Sequence, residues 1–340
     1  MTTEQNFGSQ QNHLRLVRRQ FLQLAGAVAA VPVLTRVAWS QAYPVRPVRV
    51  IVPYAAGSSI DVIARLIGQK LSESFSHQFY VENLPTGAAN AGTAAAAKAP
   101  ADGHTILFVA TTLVINPSLF VRIAYDPIKD FAPITLVAAS PHVLVVHPSL
   151  PANDVKQFVE LVRANPGKYS FASAGVGQSG HMAGELFKLS FGLDLVHVPF
   201  NGGAPAVIST IGGHTPIAFL ALPVAAQHIK AGELRALAVT SGKRAAEFPD
   251  VPTLAEAGVP NQESEFIAGL LAPAGTSKEI VERLYREVAR IVALPDVKDR
   301  LTAIGYRPVV NTPEEFGTWI KTEVPRWAKV IRDANIQRVE

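Results

Sequence analysis

Short apolar runs alternate along the chain with longer stretches whose apolar residues recur every three or four positions. Residues 48–53 (VRVIVP) read as a strand, and 54–59 (YAAGSS) as the turn that follows it. A helix comes next, with Ile60, Ile63, Leu66, Ile67 and Leu71 on one face. Further strands are predicted at 79–82, 105–109, 142–146, 169–172, 195–198, 217–219 and 235–239. An Ala-rich helix is predicted at 92–99, and another carries Met182, Leu186 and Phe187. Strands separated by helical stretches of roughly 10–15 residues predict an α/β fold, with parallel-rich sheets flanked by helices.

The N-terminus stands outside this pattern. Arg15, Arg18 and Arg19 precede an uncharged, mostly apolar stretch at 21–34, followed by Ser40, Gln41 and Ala42. A basic end, a short apolar run and small residues two apart predict a signal peptide over residues 1–42. The run is too short and too rich in Ala and Gly for a membrane span. Arg18-Arg19-Gln20-Phe21-Leu22 also fits the twin-arginine export pattern, in which cargo crosses the membrane folded.

Setting that segment aside changes the charge argument. Residues 1–42 hold four Arg and one Glu of the chain's 31 basic and 27 acidic side chains, which leaves 27 and 26 for the body. A net charge of +1, with no run of Lys or Arg, leaves no electrostatic footprint for nucleic acid. The chain has no cysteine, which excludes disulfides, thiol nucleophiles, Cys-ligated metals and a lipid-attachment site. No later segment offers the roughly 18 uninterrupted apolar residues of a spanning helix. The body is therefore expected to be free in the compartment beyond the membrane, and long enough for two lobes.

In open parallel sheets, ligands sit beyond the carboxyl ends of strands, where helix N-termini present free N–H groups and a partial positive charge. Two loops fit that description. The first runs from Tyr54 to Ser59; the second is 172–181 (ASAGVGQSGH). Glycines let the backbone approach a ligand, and serine hydroxyls add adjustable donors. Taken alone, each loop reads equally well as a sharp turn with a Ser cap. Two in separate halves of the chain point to a shared anion site.

Three enzyme-like patterns fail on inspection. Gly175-x-Gly177-x-x-Gly180 matches the dinucleotide fingerprint, but the next strand ends in Pro199, Phe200 and Asn201, without the acidic residue that holds a ribose. Gly177-Gln178-Ser179-Gly180-His181 resembles a nucleophile elbow, but His181 stands where the last glycine belongs. The nine histidines are scattered without metal-ligand spacing. His181 is expected at a helix start near the cleft, and His104, His142, His147, His197, His214 and His228 as surface or satisfied structural residues. No enzyme activity, cofactor or metal is expected.

A set of blocks runs in order along the chain: 43–49 (YPVRPVR), 52–61 (VPYAAGSSID), 97–103 (AKAPADG), 116–119 (NPSL), 130–134 (DFAPI) and 171–177 (FASAGVG). The set continues through 197–200 (HVPF), 236–240 (ALAVT), 248–253 (FPDVPT) and 271–276 (LAPAGT). The resemblance these blocks carry is to the solute-binding receptors of tripartite tricarboxylate transporters, the Bug-type periplasmic proteins. It implies a two-lobed, type II-like Venus-flytrap fold. Lobe one would comprise residues 43–141 and 268–340, lobe two residues 142–267, with crossovers near 138–142 and 266–271. It also implies a periplasmic monomer, a carboxylate ligand and a transmembrane permease as partner. Carried over residue by residue, Tyr54, Ala56, Gly57 and Ser58 would hold the ligand from lobe one. Ser173, Gly175, Gln178, Ser179 and Asn201 would hold it from lobe two.

The chain departs from the family pattern in three places. Residues 85–90 (PTGAAN) replace a Pro-Gly-rich loop, which predicts a stiffer one. Asn201-Gly202 stands where Lys-Gly is common, and residues 219–223 (FLALP) where Phe-Asp-Asn-Leu-Pro is common. Without that Asp an amino group lacks an anionic partner, which disfavours amino acids; without the Lys, a highly charged ligand such as citrate is disfavoured. Leu220 is expected in the core; facing the cleft instead, it would suit an acid with an apolar body. A periplasmic sensor with the same ligand capture but a signalling partner is the alternative function.

Overall fold

A computed structural model describes residues 43–340. The predicted signal peptide and twin-arginine pair lie outside the described residues.

In chain order the elements are β1 (Val48–Val52), α1 (Ser59–Phe75), β2 (Phe79–Asn83), α2 (Asn90–Ala97), β3 (Thr105–Val109) and α3 (Thr112–Leu119). There follow β4 (Phe131–Val146), α4 (Val155–Arg163), β5 (Tyr169–Ser173), α5 (Ser179–Phe191), β6 (Leu195–Pro199), α6 (Gly203–Ile211) and β7 (Ile217–Ala221). The chain continues through α7 (Leu222–Lys230), β8 (Arg235–Val239), β9 (Glu265–Pro273), α8 (Lys278–Ala293), α9 (Pro295–Ala303), β10 (Arg307–Pro308) and α10 (Pro313–Asp333).

The strands form two sheets that share β4. Its first part, Phe131 to Pro141, pairs antiparallel with β9, and its second, His142 to Val146, antiparallel with β7 and β8. β1, β2 and β3 are mutually parallel in the first sheet, as are β5, β6 and β7 in the second. β9 and β10 oppose their neighbours in the first sheet, and β4 opposes its neighbours in the second. In each sheet most strands therefore point the same way, and the antiparallel pairs gather at the crossover, where one strand passes from sheet to sheet without a loop.

Residue alternation on the second sheet feeds two cores. Leu144, Val146, Phe171 and Phe219 pack with Phe158 of α4 and Phe187 of α5 on one face. Val143, Val145, Ala172 and Leu220 pack with Ala206 of α6 and Ala225 of α7 on the other. Leu220 is 1% exposed, so it is core as expected and not a cleft residue. The first sheet packs Ile51, Leu107 and Leu271 against α3 and α10, where Phe316 and Trp327 are buried. Met182 of α5 joins that cluster, so the helix after β5 reaches across to the first sheet.

Three strand assignments from sequence need correction. The strand predicted at 142–146 begins eleven residues earlier, at Phe131, because Pro133 and Pro141 mask a segment buried on both faces. β9, expected only as a crossover, is a nine-residue strand. The short β10 was not expected at all.

Candidate ligand-binding site

Side-chain caps distinguish two groups of helices. α4, α8 and α10, which begin away from the carboxyl ends of the parallel strands, are capped by the side chains of Asp154, Ser277 and Thr312, and α9 starts with Pro295. α2, α3, α5, α6 and α7 follow β2, β3, β5, β6 and β7 directly, and none has a side-chain cap. α1 after β1 has only a long contact, Asp61 N–H to Ser58 Oγ at 3.4 Å. A helix start without a cap leaves backbone donors and the positive end of the helix dipole unspent. In α5 the amides of Ser179, Gly180 and His181 have no acceptor among the described residues, while the next one, Met182, bonds Gln178 O at 3.1 Å.

The loop after β5 is shaped around those amides. Gly175 (φ +135°) and Gly177 (φ +74°) take backbone conformations that side chains rarely adopt. Gly175 N–H donates to Ser173 Oγ at 3.2 Å, and Gln178 N–H to Gly175 O at 3.2 Å. The loop after β6 is joined to it through Phe200 N–H to Ser173 O (3.0 Å) and Gly202 N–H to Ala174 O (3.2 Å), which sets exposed Asn201 beside it. Half-buried Gln178 precedes α5 and makes no cap of its own.

His142 and His197, which the sequence left as surface or structural residues, hold this loop from behind together with His181 in the first turn of α5. Ser173 is fully buried, with Oγ 2.7 Å from His197 Nε2. His197 stacks on His181 with centroids 3.7 Å apart, and Gly177 N–H donates to His181 Nδ1 at 3.1 Å. Burial, reinforced by the neighbouring His181, lowers His197 to about 3, so its ring is neutral. Ser179, 4% exposed, has Oγ 2.9 Å from His142 Nε2. Nδ1 of His142 faces the carbonyl of Ser264 at 3.1 Å and must carry the ring proton. Burial lowers His142 to about 4 against that bond, so the ring is neutral, and Ser179 O–H donates to its bare Nε2. The hydroxyl proton of Ser179 is thereby committed, and what α5 offers outward is its first-turn backbone.

The loop after β1 is held differently. Tyr54 hydroxyl lies 2.6 Å from Thr112 Oγ1 and accepts from Ala110 N–H at 3.0 Å; burial pushes it up to about 12, against those bonds. Ala56 and Gly57 are exposed and Ser58 half-buried. Gly57 N–H donates to Asp61 Oδ2 at 2.8 Å, so that amide is spent inside the loop. Asp61 is buried and also accepts from Arg65 (2.9 Å) and Asn83 (2.8 Å). Burial raises its pKa, but the bonds from Arg65, Gly57 and Asn83 outweigh that and hold the carboxyl below its usual range. The signal for Asp61 was present as an acidic residue in a first helical turn.

The neighbouring loop after β2 places Gly87, Ala88 and Ala89 in succession at φ +63°, +50° and +77°. For the two alanines that conformation costs roughly 1–2 kcal/mol each. Asn116 Nδ2 holds it by donating to Ala88 O at 2.9 Å.

Helix α3 spans the distance between the two predicted loops. Its first residue, Thr112, touches Tyr54, and a Cβ added to Gly177 would lie 2.0 Å from Cδ2 of its last residue, Leu119. Seven steps of helix put those ends about 10 Å apart. The structure therefore brings the two loops to the opposite ends of one short helix.

Two α/β sheets sharing the strand β4, with uncapped helices at the carboxyl ends, define a periplasmic-binding-protein fold. The family model described as "Tripartite tricarboxylate transporter family receptor" matches residues 63–336, and the chain belongs to that family. A UPF0065 protein from the tcbD–tcbE intergenic region of Pseudomonas sp. (strain P51) is 40% identical over 310 residues, covering 91% of this chain and 92% of that protein. Among solved structures, R. palustris Rpa4515 with adipate is 33% identical (TM-score 0.76), covering 87% of this chain and all of that one. MatC from Rhodopseudomonas palustris with bound malate is 30% identical (TM-score 0.72), covering 85% of this chain and all of that one. The protein is a solute-binding protein and not an enzyme. Among the described residues no helix is long and apolar enough to cross a membrane.

Proposed function

We propose that this protein captures a small organic acid between its two lobes and delivers it to the membrane subunits of a tripartite tricarboxylate transporter. The observation that carries this reading is the uncapped start of α5, whose three free amides lie beyond the carboxyl end of β5. Those amides suit a carboxylate, with Gly175 and Gln178 shaping the approach and Ser173 and Ser179 bracing it through their histidines. From the other lobe, Tyr54, Ala56, Gly57 and Ser58 line the facing loop, and Asn201 borders the rim. The lobes of this reading are residues 43–141 and 268–340 against 142–267; the change of partners at His142 supports the first boundary, while β9 pairs in the first sheet already from Glu265. Residues 1–42 act as the export signal.

The relatives solved with adipate and malate support a carboxylate ligand for this chain. The acid that co-purifies with the protein is to be identified by mass spectrometry and a panel of organic acids screened by thermal shift. At 100 times its dissociation constant, a true ligand adds about 2.7 kcal/mol of stability. Gly175→Val then tests the site by titration calorimetry: a Cβ there would crowd Phe200 O at 3.3 Å in a conformation that disfavours side chains. At least a tenfold loss of affinity is expected from the folded variant. Unchanged affinity would move the ligand away from these loops, and a panel without any binder would remove the carboxylate reading.

A further inference from the structure

We propose that His142 is a positioning residue: it ties the start of α5 to both strand crossovers and so sets the angle between the two sheets. His142 stands at the residue where β4 changes partners from β9 to β7. Its ring receives the hydroxyl proton of Ser179, the first residue of α5, at 2.9 Å and donates to the carbonyl of Ser264 at 3.1 Å. Ser264 immediately precedes β9, the returning crossover. The backbone of His142 adds two further ties: its N–H donates to Thr240 Oγ1 at 2.9 Å, and its carbonyl accepts from Thr240 N–H at 2.9 Å. Thr240 Oγ1 also bonds Ser264 O. One imidazole thus links three segments that must move together if the sheets change their angle.

The seam has spare hydrogen-bonding capacity. Ser140 and Ser264 Oγ are buried there without a partner among the described residues. A buried hydroxyl without a partner favours any rearrangement that supplies one. A fully satisfied seam would resist rotation; this one can exchange bonds as the angle changes.

The test needs no ligand, so its failure leaves the carboxylate reading standing, and the reverse. The chain has no cysteine. Val62 on α1 and Ile208 on α6 are both exposed and can be replaced with cysteine for spin labels. Double electron–electron resonance on the full-length protein should give one narrow distance distribution. His142→Leu and Ser179→Ala should each add a second distance population, and the pair together should do no more than His142→Leu alone, since the leucine already removes the bond to Ser179. His142→Gln, which keeps one donor and one acceptor, should restore the single distribution. If His142→Leu does not fold, Ser179→Ala still carries the test. An unchanged distribution in folded variants, or His142→Gln behaving like His142→Leu, would overturn the proposal and leave His142 as packing.

Discussion

Gly177→Ala tests the close approach of the loop after β5 to α3. Two terms oppose an added methyl group. At φ +74° a side chain costs roughly 1–2 kcal/mol. The new Cβ would also stand 2.0 Å from Leu119 Cδ2, where carbons normally sit roughly 3.5–4.0 Å apart. Leu119 is 2% exposed within the first core, so it can yield only by repacking, at roughly 1–3 kcal/mol. The sum is about 2–5 kcal/mol. Each kcal/mol lowers the melting temperature by roughly 2–4 °C in a domain of this size range. Leu119→Ala should itself cost roughly 2–5 kcal/mol. In the double variant the clash disappears and the backbone strain remains, so the total should fall short of the sum by about 1–3 kcal/mol. Equilibrium urea unfolding of all four proteins measures this. Additivity within about 0.5 kcal/mol would show that Gly177 and Leu119 do not meet, and the placement of the two loops at the ends of α3 would fail with them.

Three further outcomes are expected. His142 falls from about 6.5 in the unfolded chain to about 4 in the fold, so the unfolded state takes up its proton first on acidification. Stability is full above pH 6.5 and declines towards pH 4 by about 3 kcal/mol from this residue; His142→Gln should remove that part of the slope, and a slope identical in both proteins would reject a buried neutral ring. Asp61→Asn strips the charge from a carboxylate holding Gly57, Arg65 and Asn83 and should cost roughly 1.5–3 kcal/mol by denaturant midpoint, with no loss arguing that the loop after β1 holds itself. In X-ray scattering the radius of gyration should shrink when the identified acid saturates the protein, as two lobes close about a hinge, and an unchanged curve at saturation would argue against closure.

The parallel strands of both sheets, and the second part of β4, were legible because short apolar runs bounded by turn residues have one physical reading. β9 and the first part of β4, Phe131 to Pro141, were not, since strands buried on both faces lose their alternation. In β9, Gly269 interrupts the apolar run, and a Cβ there would lie 2.8 Å from the Phe316 ring of α10. The glycine is needed for that contact, a reason local sequence does not contain. At the site, both glycine- and serine-bearing loops were visible as strand-to-helix junctions. What holds them was not: Ser173 meets His197 across 24 residues and Ser179 meets His142 across 37. Periodicity marks a buried face, but not which polar group within it meets which.

The chemistry of the proposed site follows from what those partners leave over. Charged side chains close to the two loops are paired with one another, Lys188 with Glu185 at 3.0 Å and Arg65 with Asp61 at 2.9 Å, and Arg338, which lines the same cavity as Val176, donates to Phe120 O at 2.5 Å. An anion held at α5 would therefore be met by neutral amides and a helix dipole equivalent to roughly half a charge. A buried guanidinium would bind more tightly, but on release it would be left as an unpaired charge, at a penalty of several kcal/mol. Backbone amides at a helix start leave no such charge behind. A receptor that must release its cargo gains from a site whose empty state is electrically neutral, and His142 and His197, which brace this one from behind, are themselves kept neutral by burial.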